Sequence, residues 1–213
     1  MTHHEARFIT VEGGEGVGKS TNMALIQNHL VARGIDLCVT REPGGTVLGE
    51  KLRELLLTPE GEGPCDTAEL LMIFAARAQH LSAVIEPALA QGRWVLCDRF
   101  TDATYAYQGF GRGLNLQHIQ TLETLVQAER RPDLSILLDV DPAIGMERAV
   151  ERGQLDRFEQ EEAAFFQRVR RGYLERVRIE PERWIVIDAG QSLELVSSAV
   201  IDQLDQWLES AGA

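Results

Sequence analysis

Five short apolar runs, separated by segments of helical periodicity, constrain the fold of this 213-residue chain more than any other feature. The runs are Phe8–Glu12, Leu37–Thr40, Trp94–Cys97, Leu134–Leu138 and Trp184–Ile187. They are continuous rather than alternating, which is typical of strands covered on both faces. The alternation of strands and helices predicts an α/β fold in which a five-stranded parallel sheet lies between two layers of helices.

The segments between these runs have the apolar spacing of helices. The predicted helices are Ser20–Arg33, Leu48–Leu57, Thr67–Gln91, one capped by Asp141 and ended by Gly153, Gln160–Arg178 and Ser192–Glu209. Asp66 and Glu69 have the spacing of a capping box at the start of the third helix. Pro87 should kink or end that helix, because proline lacks the amide donor of a helix interior.

Composition places the chain among globular proteins, with 44% hydrophobic and 25% charged residues. No apolar run approaches the roughly 18 residues that cross a bilayer, and the polar N-terminus gives no sign of a secretory signal. Cys38, Cys65 and Cys97 lack metal-ligand spacing. We therefore expect one reduced, cytoplasmic domain that spans residues 1–213 and has no membrane partner.

The charge of the chain bears on its partners. A formal net charge of −12 argues against binding to nucleic acid, whose phosphates require a basic surface. Only Lys19 and Lys51 are lysines, and the other 19 basic residues are arginines, whose planar guanidinium suits phosphate and carboxylate. A phosphate-binding site in this acidic chain would have to concentrate arginine locally.

Polar clusters follow the strands at the point where each strand ends. The clusters are Gly13–Ser20, Arg41–Thr46, Asp98–Gln108, Asp139–Asp141 and Asp188–Gly190. Ligands of open parallel sheets bind outside the carboxyl ends of the strands. The sequence therefore predicts one functional site at this edge of the sheet.

The first cluster matches G-x-x-x-x-G-K-[ST], follows a predicted strand and opens a predicted helix. Its backbone amides and the helix N-terminus would hold phosphate oxygens. Lys19 would contact the β- and γ-phosphates of a nucleotide, and Ser20 would ligate Mg²⁺. A glycine-rich turn with an incidental lysine is the alternative interpretation. The residues of this segment predicted to bind the nucleotide are Gly13, Gly14, Glu15, Gly16, Val17, Gly18, Lys19, Ser20 and Thr21. Outside the motif, Arg148 is also expected to bind the nucleotide, and the adenine contacts are expected around Arg148 and Asp188–Gly190.

Asp98 and Arg99 end the third apolar run and provide the second half of such a site. Asp98 would hold the Mg²⁺ shell, and Arg99 would bind the phosphate being attacked. The alternative interpretation of Asp98 is a salt bridge at the strand end. Asp139 and Asp141 are weaker candidates, since Asp141 is explained as a helix N-cap.

A phosphate-binding loop leaves the class of nucleotide-binding protein open. Regulatory GTPases need an N-K-x-D segment, which two lysines outside that context do not provide. The length excludes large motor and AAA-type ATPases. A small phosphotransferase and a catalytically silent nucleotide sensor remain.

Four segments of the chain resemble thymidylate kinase, and the resemblance covers essentially the whole chain. The segments are Phe8–Ser20 with a carboxylate inside the loop, Thr40–Thr46, Phe74–Arg77 and Asp98–Gly109. The resemblance implies a three-layer P-loop NTPase fold with a mobile lid. It also implies direct in-line transfer of the ATP γ-phosphoryl group to dTMP, with Mg²⁺, and a homodimer. Another nucleoside monophosphate as acceptor is the alternative, and use of dUMP is left open.

The resemblance implies roles for residues at the acceptor base. Phe74 would stack on thymine, Arg77 would donate to its O4, and Thr104 and Gln108 would contact the pyrimidine edge. Many relatives have the stacking phenylalanine four residues before the arginine, where this chain has Ile73.

For the sugar and phosphate, the resemblance implies that Glu15 accepts a hydrogen bond from the 3′-hydroxyl group. Tyr107 would pack against C2′ and favour deoxyribose over ribose. Arg53 and Arg99 would hold the acceptor phosphate. The other residues implied to bind the acceptor are Arg41 and Pro43.

The resemblance is to the bacterial type, which provides transition-state arginines from a lid. Gly16 occupies the loop position at which some relatives have a basic residue. Arg148, Arg152 and Arg157 lie in the expected lid, about residues 148–160, with Gly153 as a hinge. Of these, Arg152 and Arg157 would act in transfer. The alternative for Arg148 is a solvent-facing residue paired with nearby glutamates.

Overall fold

The structure is a computed structural model that describes residues 6–58, 63–153 and 156–212, with Arg152 described by its backbone alone. Its strands are β1 Phe8–Gly13, β2 Leu37–Arg41, β3 Trp94–Asp98, β4 Leu134–Asp139 and β5 Trp184–Asp188. All pairings are parallel, in the order β2-β3-β1-β4-β5. The predicted five-stranded parallel sheet is confirmed.

Helices cover both faces of this sheet. The α-helices among the described residues are α1 Lys19–Ala32, α2 Val47–Leu57, α3 Asp66–His80, α4 Glu86–Ala90, α5 Thr101–Thr104, α6 Leu116–Gln127, α7 Pro142–Arg152, α8 Ala163–Ile179 and α9 Leu193–Ala211. Two π-helical turns, Leu81–Ile85 and Tyr105–Gly111, extend α3 and α5. The sequence analysis did not predict α6.

Two expectations about the helix that begins at Asp66 need correction. Cys65 precedes the helix without a side-chain cap, and Glu69 is fully buried instead of capping the helix start. The helix also continues past Pro87 to Ala90. The π-helical turn ends at Ile85, and Pro87 lies in the first turn of α4, where proline is tolerated, so it does not end the helix.

The helical run Asp66–Ala90 is long and apolar enough, by length and composition, to cross a membrane. Half of the most apolar 18-residue stretch of this run is buried inside the fold. The polar side chains of Glu69, Arg77 and His80 are buried with it. These buried polar groups have protein partners. We therefore assign this run to the core of the domain.

Alternate residues of the strands pack on opposite sides of the sheet, as the period of two requires. Ile9 and Leu96 face the layer formed by α1 and α9, where Ile26 and Leu204 are fully buried. Phe8 packs on the other side against Phe100, with ring centroids 4.9 Å apart. The three-layer α/β/α architecture predicted from the sequence is confirmed.

A buried carboxylate, Asp102, connects the second layer to the start of β5. Its Oδ1 accepts from Arg176 Nε of α8 and from Arg183 Nη2 before β5, each at 2.8 Å. Burial alone would raise the pKa of Asp102, but Arg183 and Arg176 lower it below its usual value. The carboxylate of Asp102 and the guanidinium groups of Arg176 and Arg183 therefore stabilise one another's charged forms.

We expect Asp102→Ala to lower the free energy of unfolding by about 3–5 kcal/mol, because it leaves two partly buried guanidinium groups without their counter-ion. The matched control is Asp36→Ala, which breaks the exposed pair with Arg93 and should cost less than about 1 kcal/mol. Urea unfolding of the three proteins measures both values. Equal effects of the two substitutions would contradict the role given to Asp102.

Candidate active site

A cavity of about 520 Å³ opens at the carboxyl ends of β1, β2 and β3. Most of the residues predicted for the site line it, which confirms that one edge of the sheet gathers them. The predicted residues that line it are Glu15, Gly16, Val17, Gly18, Lys19, Ser20, Thr21, Pro43, Arg53, Arg77, Asp98, Arg99, Thr104, Tyr107, Gln108 and Arg148. Gly13, Gly14, Arg41, Phe74 and Arg157 are absent from this lining.

The glycine-rich loop leaves β1 and enters α1 with Gly16 and Gly18 at positive φ, 67° and 82°. A Cβ atom on Gly16 would lie 1.9 Å from the carbonyl oxygen of Gly145 in α7, so only glycine fits this contact. Lys19 Nζ donates to Gly14 O at 2.7 Å. The loop is therefore fixed against α7, and the first residues of α1 line the cavity together with it.

Asp98 provides the test of whether the site suits a divalent cation. Its Oδ1 is buried and has no hydrogen-bond partner within the described part of the chain. Both Asp98 and Ser20 line the cavity, so a carboxylate and a hydroxyl oxygen fit Mg²⁺ held together with nucleotide phosphates. The weaker candidates serve other contacts: Asp139 pairs with Arg170 at 2.8 Å, and Asp141 caps α7.

Glu15 is the carboxylate at the centre of the site. Its Oε1 accepts from Arg99 Nη2 and from the Tyr107 hydroxyl, each at 2.7 Å. Burial alone would raise its pKa, but Arg99 and then Lys19 lower it to about 2. Glu15 is therefore ionised and can only accept hydrogen bonds.

Arg99 adopts a left-handed backbone conformation, with φ 69°, which is uncommon for a residue other than glycine. The next residue, Phe100, donates its amide to Glu12 Oε1 at 2.8 Å. Tyr173 donates its hydroxyl to the other oxygen of Glu12 at 3.0 Å. Glu12 thereby holds the turn that directs Arg99 toward Glu15.

Five basic residues line the cavity, and the charges of three of them, Lys19, Arg53 and Arg99, act on one another. Burial and the charge of Arg99 lower the pKa of Lys19. Burial, followed by the charges of Arg41 and Arg99, also lowers the pKa of Arg53. These mutually repelling charges form a site for a strongly anionic ligand. Arg41 contributes from outside the cavity, where it pairs with Glu50 at 2.8 Å.

Arg77 of α3 is buried at the cavity, and three of its contacts fix it. Its Nε donates to Glu42 at 2.7 Å, and its Nη2 donates to Thr104 Oγ1 at 3.0 Å and to Phe100 O at 3.3 Å. Its Nη1 is buried without a hydrogen-bond partner among the residues that the structure describes. A fixed, unpaired donor of this kind fits a carbonyl oxygen of a ligand.

Phe74 lies in a core cluster with Leu70, Tyr105 and Ile119, away from the cavity lining. The neighbouring Ile73 lines the cavity instead. Each residue turns a helix by about 100°, so a spacing of three from Arg77 points in a different direction from a spacing of four. The structure therefore brings Ile73 to the cavity lining, while the Phe74 ring lies behind it with its centroid 4.8 Å from the Arg77 guanidinium, and stacking of Phe74 on a base stays a prediction.

The three arginines of the expected lid differ in where the structure places them. Arg148 lines the cavity and donates to Ala189 O at 2.8 Å, which places it beside the 188–190 loop. The side chain of Arg152 lies outside the described residues. Arg157 Nε donates to Leu56 O at 2.7 Å, and its Nη2 donates to Glu69. The role of Arg157 in transfer stays a prediction, since its contacts hold the segment against α2 and α3.

The sequence analysis missed part of the cavity wall. The missed lining residues are Glu42, Leu56, Leu57, Ile73, Phe100, Ala103, Asp156, Phe158 and Glu159. Phe158 packs edge-to-face on Tyr107, with ring centroids 6.0 Å apart. An aromatic residue beside charged residues in the expected lid was the signal that could have identified it.

The buried carboxyl group of Glu12 makes the free energy of unfolding depend on pH. Burial, with the nearby charge of Asp102, raises its pKa from 4.5 to about 8, so the folded state binds one more proton than the unfolded state between these values. The stability that this proton provides is complete below pH 4.5 and is lost as the pH rises through 8. We expect Glu12→Gln, which keeps a carbonyl for the Phe100 amide, to remove this dependence.

The measurement is the free energy of unfolding of wild type minus that of Glu12→Gln, from pH 5 to pH 8. We expect this difference to fall by at most about 1.4 kcal/mol per pH unit. Glu182→Gln, at an exposed position, controls for the loss of a carboxyl group. A difference that does not change with pH would contradict the raised pKa.

Comparisons with known proteins agree with this geometry. The family model of thymidylate kinase matches residues 11–200. The thymidylate kinase of Teredinibacter turnerae is 57% identical over 202 residues, which cover 95% of this chain and 98% of the relative. The thymidylate kinase of Pseudomonas putida strain W619 is 58% identical with the same coverage. That of Pseudomonas syringae pv. syringae is 56% identical, over 95% of this chain and 96% of the relative.

The match spans the loop after β1, the turn after β3 and α7, so it includes the residues that build the cavity. Nearly full coverage of both chains excludes a shared nucleotide-binding segment inside otherwise different proteins. The chain belongs to the thymidylate kinase family.

Proposed function

We propose that this protein transfers the γ-phosphoryl group of MgATP to dTMP, giving dTDP and ADP, in the supply of dTTP. Family membership supports this reaction. The observation that carries the choice of acceptor is Arg77, which lines the cavity and whose buried Nη1 has no hydrogen-bond partner among the described residues. Thymine presents O4, a carbonyl oxygen, which is the acceptor that such a donor lacks.

The transfer needs positioning and charge neutralisation more than covalent catalysis. An oxygen of the dTMP phosphate attacks the γ-phosphorus, and the bond to the β,γ-bridging oxygen breaks in line. Lys19 would hold the β- and γ-phosphates, and Arg53 and Arg99 would hold the attacking phosphate. Mg²⁺, held by Ser20 and Asp98, would neutralise charge on the donor phosphates.

Glu15 and Tyr107 fit the sugar of the acceptor. The two described hydrogen bonds of Glu15 are both accepted by Oε1, so Oε2 would accept from the 3′-hydroxyl group. The Tyr107 ring is held by Arg99, 4.6 Å from its centroid, and by Phe158. Fixed in this way, the ring would lie against C2′ and exclude a ribose hydroxyl group. Pro43 would line the same side of the site.

The lid would complete the site during transfer. Its arginines would stabilise charge on the γ-phosphoryl oxygens, and closure would exclude water as a competing acceptor. We assign this role to Arg152, keep Arg157 as a second candidate, and place Arg148 against the adenine nucleotide beside the 188–190 loop. Gly153, with φ 130°, would be the hinge.

We expect a cytoplasmic homodimer without nucleic-acid or membrane partners. Large apolar side chains are exposed on several helices, among them Val47 and Leu55 on α2, Leu71 on α3 and Leu125 on α6. Burial of such side chains against a second copy would remove them from water. Light scattering at micromolar concentration should give the mass of two chains. The mass of one chain would contradict the dimer.

The reaction is tested by ADP release from MgATP with dTMP, dUMP, UMP, CMP, GMP and AMP as acceptors. We expect dTMP to give the highest kcat/KM, exceeding dUMP by roughly the 10–200-fold that a methyl group provides in a packed site. Arg99→Ala should lower kcat/KM for dTMP by about 100-fold or more.

The control is Arg93→Ala, which removes an arginine of an exposed ion pair and should retain activity. Preference for a different monophosphate would keep the reaction but contradict the base contacts. ATP binding without turnover on any acceptor would favour the nucleotide sensor.

A further inference from the structure

Glu69, on α3, is a fully buried carboxylate that the proposed reaction does not use. It lies behind the cavity wall and is not among the lining residues. It has four hydrogen bonds: Gln108 Nε2 donates to Oε1 at 2.8 Å, Arg112 donates to both oxygens at 3.3 Å, and Arg157 Nη2 donates to Oε2. Because both oxygens are occupied, the carboxylate has a single fixed orientation.

Glu69 determines which end of the Gln108 amide faces it. A carboxylate paired with two guanidinium groups offers only acceptors to its other neighbours. The NH₂ group of Gln108 must therefore face Glu69, which leaves the carbonyl Oε1 on the opposite side of the planar amide. Gln108 is buried and lines the cavity, so this carbonyl is the polar atom that it offers to a ligand.

Together, Gln108 and Arg77 then present a defined pair to the pyrimidine edge. Arg77 offers the donor Nη1, which has no partner in the described part of the chain, and Gln108 offers the acceptor Oε1. Thymine and uracil carry the complementary pair, O4 as acceptor and N3–H as donor. Cytosine carries the reverse pair, an amino group at C4 and an unprotonated N3. A reversed Gln108 amide would place its NH₂ group against N3–H and lose this complementarity.

We infer that Glu69 is a positioning residue that sets specificity for the N3–H, C4-carbonyl class of pyrimidine, by fixing the orientation of the Gln108 amide. The inference rests on the proposed function. Arg112 and Arg157 take part by holding the carboxylate, and Arg157 also belongs to the lid segment. The base-contacting amide is thereby tied to the segment that closes over the phosphates.

The test is Glu69→Gln, measured as kcat/KM for dTMP divided by kcat/KM for dCMP. A glutamine at 69 can donate to Gln108, so it allows the Gln108 amide to reverse. We expect the ratio to fall roughly tenfold or more, with KM for dTMP raised and KM for ATP little changed. Glu69→Asp keeps a carboxylate and should retain most of the ratio.

Glu123→Gln is the matched control, because Glu123 is also a buried carboxylate that contacts a glutamine amide and an arginine, on α6 away from the cavity. It should leave the ratio at the wild-type value. An unchanged ratio in folded Glu69→Gln, or an equal fall in Glu123→Gln, would overturn the inference. Absence of dTMP turnover in the wild type would instead overturn the proposed function.

A second measurement needs no variant and applies if Glu69→Gln does not fold. N3-methyl-dTMP replaces N3–H by N–CH₃ and keeps both ring carbonyls, so it removes the donor that Gln108 Oε1 would accept from. We expect the wild type to use it at least roughly tenfold less efficiently than dTMP. Equal efficiency would show that no acceptor contacts N3–H and would overturn the inference.

Discussion

The ion pair between Glu15 and Arg99 joins the loop after β1 to the turn after β3, and the parts of the cavity proposed to bind the nucleotide and the acceptor meet at this pair. It exists because β1 and β3 are parallel neighbours whose carboxyl ends lie at the same edge. Tyr107 shares the same carboxylate oxygen, so the second π-helical turn is tied to both loops. One carboxylate therefore sets the relative positions of the glycine-rich loop, of Arg99 and of Tyr107, the residues proposed to contact the acceptor phosphate and sugar.

The backbone conformation of Arg99 and the desolvation of the cations both cost free energy, and other contacts offset these costs. A left-handed conformation at Arg99 costs on the order of 1–3 kcal/mol, and the hydrogen bond from the Phe100 amide to buried Glu12 holds the turn in place. Lys19 and Arg53 are partly desolvated beside a third cation, which disfavours their charged forms. A bound polyphosphate would supply the missing negative charge, so the same repulsion that weakens the free site would strengthen binding of substrates.

The sheet and the edge that carries the site could be predicted because continuous apolar runs and a phosphate-loop motif are local signals. The features that could not be predicted depend on contacts between residues far apart in the sequence. The buried face of α6 contains Glu123 and Gln127, which hide its helical period. Glu69 has the spacing of a cap, but its carboxylate is buried, where it binds two arginines and a glutamine. Whether Ile73 or Phe74 reaches the cavity depends on the rotation of α3 about its axis, which spacing along the chain does not fix.

A crystal structure of the protein with dTMP and a non-hydrolysable ATP analogue would test the central claim most directly. The decisive distances are those from thymine O4 to Arg77 Nη1 and from the dTMP phosphate to the guanidinium of Arg99. We predict both at about 3 Å, with the γ-phosphate analogue held by Lys19. A thymine ring bound away from Arg77, or an acceptor phosphate that contacts neither Arg53 nor Arg99, would contradict the account.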